Sequence, residues 1–215
     1  MAWVYPSNTT QNTRVYQKGL NPNQQLLSPI NGQFSIDDGR GAGGTIARAL
    51  VNLAAIPAYG ANKWVFVAGQ TDITTAGNNR MFAGDLTTVA VEATSYVTQS
   101  VGVLGAGGNN SGTIAVIGNN SNANVSFVGS IAWVGVWNRI LTTQEIQDQQ
   151  YSPHLTSGCV LFTNLGYNGS ATTAPDLSGN GNTGTVTGAT FSDDPLLRHN
   201  NIQGNSSIQG NSKLY

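Results

Sequence analysis

Two glutamates, Glu92 and Glu145, eight aspartates, two histidines and one cysteine hold most of the reactive chemistry available to this 215-residue chain. Glycoside hydrolysis needs two carboxylic acids flanking one bond, the first to protonate the leaving oxygen and the second to attack or to activate water. No such pair stands at short spacing here. Glu92 is isolated in Val89-Ala90-Val91-Glu92-Ala93, and Glu145 follows Thr142 at the Thr-x-x-Glu spacing of a helix capping box. The expectation is therefore a protein that is not an enzyme, with no catalytic residue and no resident cofactor. His154 and His199 fall in no metal-ligand spacing and read as surface residues. Cys159 precedes Val160-Leu161-Phe162, which suits a buried thiol on a core strand better than a nucleophile with a histidine partner. Gly39-Arg40-Gly41-Ala42-Gly43-Gly44 lacks the Gly-Lys-Ser/Thr ending of a phosphate-cradling loop and reads as a turn.

One metal pattern carries some weight. Asp176, Asn180 and Asn182 place hard oxygen donors on a glycine-rich turn, the ligand type that calcium takes. With a single carboxylate any calcium would bind weakly, and an Asx turn closed by Asp176 accounts for the same residues. Asp37-Asp38-Gly39 is a poorer version of the same pattern. Sugar binding would call for aromatic platforms beside planar hydrogen-bonding groups. Trp3, Tyr5, Tyr59 and Tyr96 lie off the predicted core strands and are the candidates, whereas Trp64, Trp133 and Trp137 sit in alternating apolar runs that fill or flank a core.

Elements able to position these residues are mostly short strands. Lys63–Ala68, Arg80–Ala83, Thr113–Ile117 and Ser130–Trp137 are β-type runs, separated by turn clusters such as Gly77-Asn78-Asn79 and Gly118-Asn119-Asn120. Both faces of Ser130–Trp137 are apolar, with Ile131, Trp133 and Gly135 on one side and Ala132, Val134 and Val136 on the other, so this run predicts a central strand between packed layers. Thr142 starts the one clear helix and Ser152-Pro153 stops it. Thr45–Leu53 fits either period and is assigned to strand. Residues 1–30, with Pro6, Pro22 and Pro29 among polar residues, read as an extended N-terminal arm, leaving 31–195 for the folded domain and 196–215 for a C-terminal arm. In that last arm Ile202-Gln203-Gly204-Asn205-Ser206 recurs as Ile208-Gln209-Gly210-Asn211-Ser212. At a spacing of six, Ile202 and Ile208 would point the same way from an extended chain and could anchor it in apolar pockets of a neighbour.

Charged residues make up only 9% of the chain and the net charge is −1. That gives no basic footprint for phosphates or anionic lipid, so nucleic-acid and membrane partners are not expected. Polarity comes instead from 24 Asn and 13 Gln. A lone cysteine excludes an intramolecular disulfide, no run reaches the ~20 apolar residues of a membrane span, and Met1–Ser7 lacks the pattern of a secretory leader.

Three stretches resemble the laminin-G-like members of the concanavalin A-like lectin/glucanase superfamily, especially phage-encoded ones. They are Asn62–Gly69 with Arg80–Asp85; Ala115–Asn119 with Phe127–Ile146, which carries the Asn138-Arg139-Ile140-Leu141 turn and the Glu145-Ile146 helix; and Ala174–Ala189, with Asp176-Leu177-Ser178-Gly179-Asn180-Gly181-Asn182. The resemblance spans roughly residues 30–195. It implies an all-β jelly-roll sandwich of two antiparallel sheets with one short helix, here with extended arms, and a calcium site in some members. The superfamily's glucanases carry a Glu-x-Asp-x-x-Glu strand motif that this chain lacks. Polar arms and no leader then point to a bacteriophage virion structural protein, made in the host bacterial cytoplasm and most consistent with a capsid decoration protein. Expected partners are the major capsid protein or other virion proteins and further copies of the chain, as a homotrimer. The alternative is a tail or fibre component, or a carbohydrate-binding module for host-surface glycans.

Overall fold

The computed structural model describes residues 1–19, 24–39, 44–103, 112–120, 122–165 and 172–190. Its strands are β1 (Ala2–Pro6), β2 (Tyr16–Lys18), β3 (Gln25–Ile30), β4 (Gln33–Asp38), β5 (Ala47–Asn52), β6 (Val65–Gln70), β7 (Arg80–Asp85), β8 (Val91–Glu92), β9 (Thr98–Ser100), β10 (Ala115–Ile117), β11 (Gly129–Trp137), β12 (Cys159–Asn164), β13 (Thr173–Ala174) and β14 (Gly184–Thr185), with helix α1 at Thr143–Tyr151. One sheet has the order β12-β11-β1-β6-β7-β8 and the other β10-β2-β3-β4-β5-β9, while β13 and β14 form a small hairpin. Neighbouring strands run antiparallel throughout. This is the two-sheet antiparallel sandwich expected from the sequence, and Thr45–Leu53 is indeed a strand.

The N-terminal arm is not an arm. Residues 1–30 supply β1, β2 and β3, and β1 lies inside the first sheet between β11 and β6 with Ala2, Trp3 and Val4 buried. Strands of three to six residues broken by Pro and Asn leave no sustained period, so this part of the sandwich was hidden in the sequence. The β3–β4 hairpin turns through Asn31 and Gly32, both at positive φ (47° and 82°). That is the Asn-Gly pair a tight hairpin selects, because two successive residues must enter the left-handed region. The C-terminal arm and the domain's end at residue 195 lie outside the described residues.

Between the sheets, Val4, Val65, Val67, Met81 and Val134 of the first pack against Tyr16, Leu27, Phe34, Ala49 and Val51 of the second. A second core covers the outer face of the first sheet, where Trp3, Phe66, Phe82, Trp133 and Phe162 meet Leu141 and Ile146 at α1. A bulge divides residues between the two layers. Trp3 pairs with Trp133 but Val4 pairs with Ile131, so Ala132 is the extra residue. Strict alternation, which would put Ile131 beside Trp133, therefore fails. Ile131 joins Val134 and Val136 on the inner side, while Ala132 and Trp133 both face outward. Trp133 is buried as expected, but under α1 and not between the sheets.

Helix α1 begins with the predicted capping box: Thr142 Oγ1 accepts from the Glu145 amide, and Glu145 Oε2 accepts from the Thr142 amide. Its inner face is held by Gln150, whose Nε2 donates to the carbonyls of Asp85 and Thr88 and whose Oε1 accepts from the Ala90 amide at 2.6 Å. Gly84 makes room for this side chain, since a Cβ there would lie 2.7 Å from Gln150 Nε2. The Gln150 carbonyl in turn accepts from the Trp3 indole N–H.

Because Trp133 is 4% exposed in this outer core, Trp133→Ala should lower unfolding free energy by about 3–5 kcal/mol in a urea titration. A midpoint equal to wild type would remove the outer core from the stability of the fold.

Candidate functional site

Neither glutamate is available as half of a hydrolytic pair. Glu145 accepts from Arg139 through both oxygens and caps α1, and Arg139, followed by the Thr142 amide, draws its pKa down to about 2. Glu92 accepts from the Tyr96 hydroxyl at 2.9 Å and lies 3.5 Å from Arg80. A general acid needs a carboxyl whose pKa is raised towards working pH, and Glu145 is shifted the opposite way.

Asp176, Asn180 and Asn182 do come together in one turn, against β12. Asp176 Oδ1 accepts from the amides of Phe162 and Ser178, and Oδ2 accepts from Ser178 Oγ and the Asn182 amide. Burial works against the charged carboxylate, but the bonds from Ser178, Asn182 and Phe162 outweigh it and keep its pKa below the ordinary value. Asn180 Nδ2 donates to the Cys159 carbonyl and Asn182 Nδ2 to the Val160 carbonyl. All three side chains thus staple the Asp176 turn to β12. Among the described residues no group of three His, Cys, Asp or Glu side chains is placed to hold a metal ion.

Of the proposed sugar platforms, Trp3 and Tyr59 are buried, which removes them as surface stacking residues, while Tyr5 and Tyr96 are half-buried. Tyr5 packs edge-on to Trp64, with ring centroids 5.7 Å apart. His154 is exposed as expected and donates from Nδ1 to the Ser152 carbonyl. Cys159 is half-buried on β12, the outermost strand of its sheet among the described residues, so it is not a core thiol. In the Asp37-Asp38-Gly39 pattern, Asp37 is buried and held by the Arg48 guanidinium across β4 and β5. His199, Ile202 and Ile208 lie outside the described residues.

A feature that no motif announced is a cleft of about 510 Å³ at one end of the sandwich. Tyr16, Leu27 and Ile36 of the second sheet line it together with Val134 and Val136 of the first, and Gln70, Asp72, Asn138 and Arg139 stand around it. Asn78 and Thr74 hydrogen-bond the Asp72 carboxylate and hold its pKa well below the usual range. The Arg139 charge is already matched by Glu145. The cleft residues come from at least five separated stretches of chain, so spacing in the sequence could not reveal them.

A sandwich of two antiparallel sheets with its helix laid on the outside is shared by many families, and sequence comparison decides among them. The model of the concanavalin A-like lectin/glucanases superfamily matches residues 1–147. The chain belongs to this superfamily. No curated protein matches the sequence. The superfamily match begins at the first residue, which agrees with β1 being an integral strand, and ends within α1, so the Asp176 turn lies beyond it. Two stretches inside that span that carried the resemblance, the Asn138-Arg139-Ile140-Leu141 turn and the Glu145 helix start, meet in the Arg139–Glu145 ion pair.

Two tests follow from this geometry. The folded-state pKa of Glu145 lies below its ordinary value of 4.5, so its contribution is present above about pH 4.5 and is lost as pH falls towards 2. Glu145→Gln should melt about 1–3 °C below wild type at pH 6, a gap that narrows below about pH 4 and closes only as pH passes through about 2. A constant gap would assign the effect to the cap alone. Because the Asp176 oxygens are engaged by N–H and O–H donors, replacing EDTA by millimolar calcium should move Tm by less than about 1 °C, and a rise of several degrees would demonstrate a bound cation.

Proposed function

We propose that this protein is a non-catalytic structural module of a bacteriophage virion, a capsid decoration protein that displays a concanavalin A-like sandwich. The observation that supports this reading is an aliphatic rim along one side of the molecule. Residues 93–97 carry the chain from β8, at the edge of one sheet, to β9, at the edge of the other. Leu86, Val89, Val91, Val97, Val101 and Val103 are exposed along this path, Val97 by 49% and Val103 by 57%. Strand edges that expose aliphatic side chains are surfaces for another chain to cover, and the sparse charge of this protein offers little repulsion against close packing. The covering chains in this reading are the major capsid protein and two further copies in a homotrimer, with Ile202 and Ile208 as anchors of the C-terminal segment.

A second reading, recognition of host-surface glycans from a tail or fibre, is favoured by superfamily membership, since the superfamily is named for its lectins. Co-sedimentation with particles lacking the protein, native mass measurement and a glycan array separate the two. Under the decoration reading, wild type binds particles and runs as a trimer, whereas Val97→Lys/Val103→Lys and deletion of residues 200–215 each lower particle binding at least tenfold without changing Tm by more than about 3 °C. Undiminished attachment of both variants, or a monomer that binds glycans and ignores particles, would overturn it.

A further inference from the structure

The end cleft is built from the wrong residues for an interior that should close upon itself. Leu27 and Ile36 from one sheet and Val134 and Val136 from the other form the apolar part of its lining, and the whole cleft, polar rim included, leaves about 510 Å³ unfilled by side chains. That volume lies within the range of small-molecule sites, about 300–1,000 Å³. Tyr16 also lines the cleft. The residue is 9% exposed, and its hydroxyl has no hydrogen-bond partner among the described residues. Burial pushes its pKa up to about 12, so it stays a neutral O–H donor at any working pH. Water reaches this hydroxyl in the cleft, so a bound acceptor would take the place of that water. Charge at the mouth narrows the choice of occupant. Asp72 is ionised there, Asp37 is paired with Arg48 and Arg139 with Glu145, and burial draws the Met1 amino group down to about 5 so that it is neutral at pH 7, which leaves no unpaired cation for an anionic group among the described residues.

We propose that this cleft is a binding site for a small uncharged molecule with an apolar body and one hydrogen-bond acceptor, the acceptor receiving the Tyr16 hydroxyl and the body lying between Ile36 and Val136. The site is separate from the aliphatic rim and does not depend on the virion reading. Prodan, an uncharged naphthalene ketone whose emission shifts to the blue on leaving water, is the probe for it. Titrated into the full chain it should bind saturably at one site per chain. Tyr16→Phe removes a hydroxyl that makes no bond among the described residues, so the variant should fold as wild type while binding the ketone about tenfold more weakly. Val136→Phe, at a half-buried position on the cleft wall, should weaken binding by obstruction, whereas Val97→Lys on the rim should leave it unchanged. An anionic naphthalene sulfonate should bind at least tenfold more weakly than Prodan. Absence of saturable binding below about 100 μM, equal affinity in Tyr16→Phe and wild type, or loss of binding in Val97→Lys would each overturn the assignment.

Discussion

The amide of Gln150 is the contact on which the outer half of this structure depends. It is buried on α1, where water cannot replace a lost partner, and it satisfies two carbonyls and one amide of the β7–β8 connection, while the backbone carbonyl of the same residue accepts from the Trp3 indole. Backbone groups buried without partners are costly. Leu86–Val89 stay exposed, but the Asp85 and Thr88 carbonyls and the Ala90 amide are satisfied by Gln150 only when α1 is docked, and α1 docks only where Gly84 leaves space. Once it does, the first sheet is dry on both faces, and the aromatic chain Trp3–Phe66–Trp133–Phe162, with centroids 5.5–5.9 Å apart, becomes a second core. The helix is thus a third layer of the fold, although its sequence reads as a short surface element.

That double burial explains which strands could be read from the sequence. β6 and β11 are apolar on both faces, and their runs of Trp, Val, Phe and Ala stand out against any background. The second sheet keeps polar groups on its outer side: Ser28 and Ser35 face each other across β3 and β4, and Asp37 meets Arg48 across β4 and β5. Alternation with serine, glutamine and aspartate looks like loop composition, so β2 and β3 merged into an apparent arm. Asn31-Gly32 is a local hairpin signal that the assignment of residues 1–30 to an arm passed over. The bulge at Ala132 had no local signal, because an extra residue on β11 is defined only by its register against β1.

Site residues divide along the same line. The Thr142–Glu145 box and the Asp176 turn were legible because each is made within seven residues, and local side-chain-to-backbone bonds leave a spacing in the sequence. The end cleft was not legible. Its lining, Tyr16, Ile36 and Val136 among it, comes from stretches far apart in the chain, and a gap between such stretches leaves no pattern. Aromatic residues misled for a related reason: Trp3 and Tyr59 flank runs too short to look like core, and are buried by long-range pairing.

Charge economy links the fold to whatever it meets. Among the described residues, Arg48 pairs with Asp37, Lys63 with Asp85, Arg80 with Glu92 and Arg139 with Glu145. These pairs tie one strand to another or a turn to a helix, and they leave little long-range field to draw in a partner. Without steering, association proceeds at about 10⁵–10⁶ M⁻¹ s⁻¹ and varies little with salt. In the decoration reading, lasting attachment would come from slow dissociation, which apolar area and well-placed amides can provide and exposed ion pairs cannot. The exposed valines between β8 and β9 and the abundant asparagine side chains are the groups this chain has for that purpose. In that reading the surface would hold by fit, with little electrostatic contribution for salt to screen.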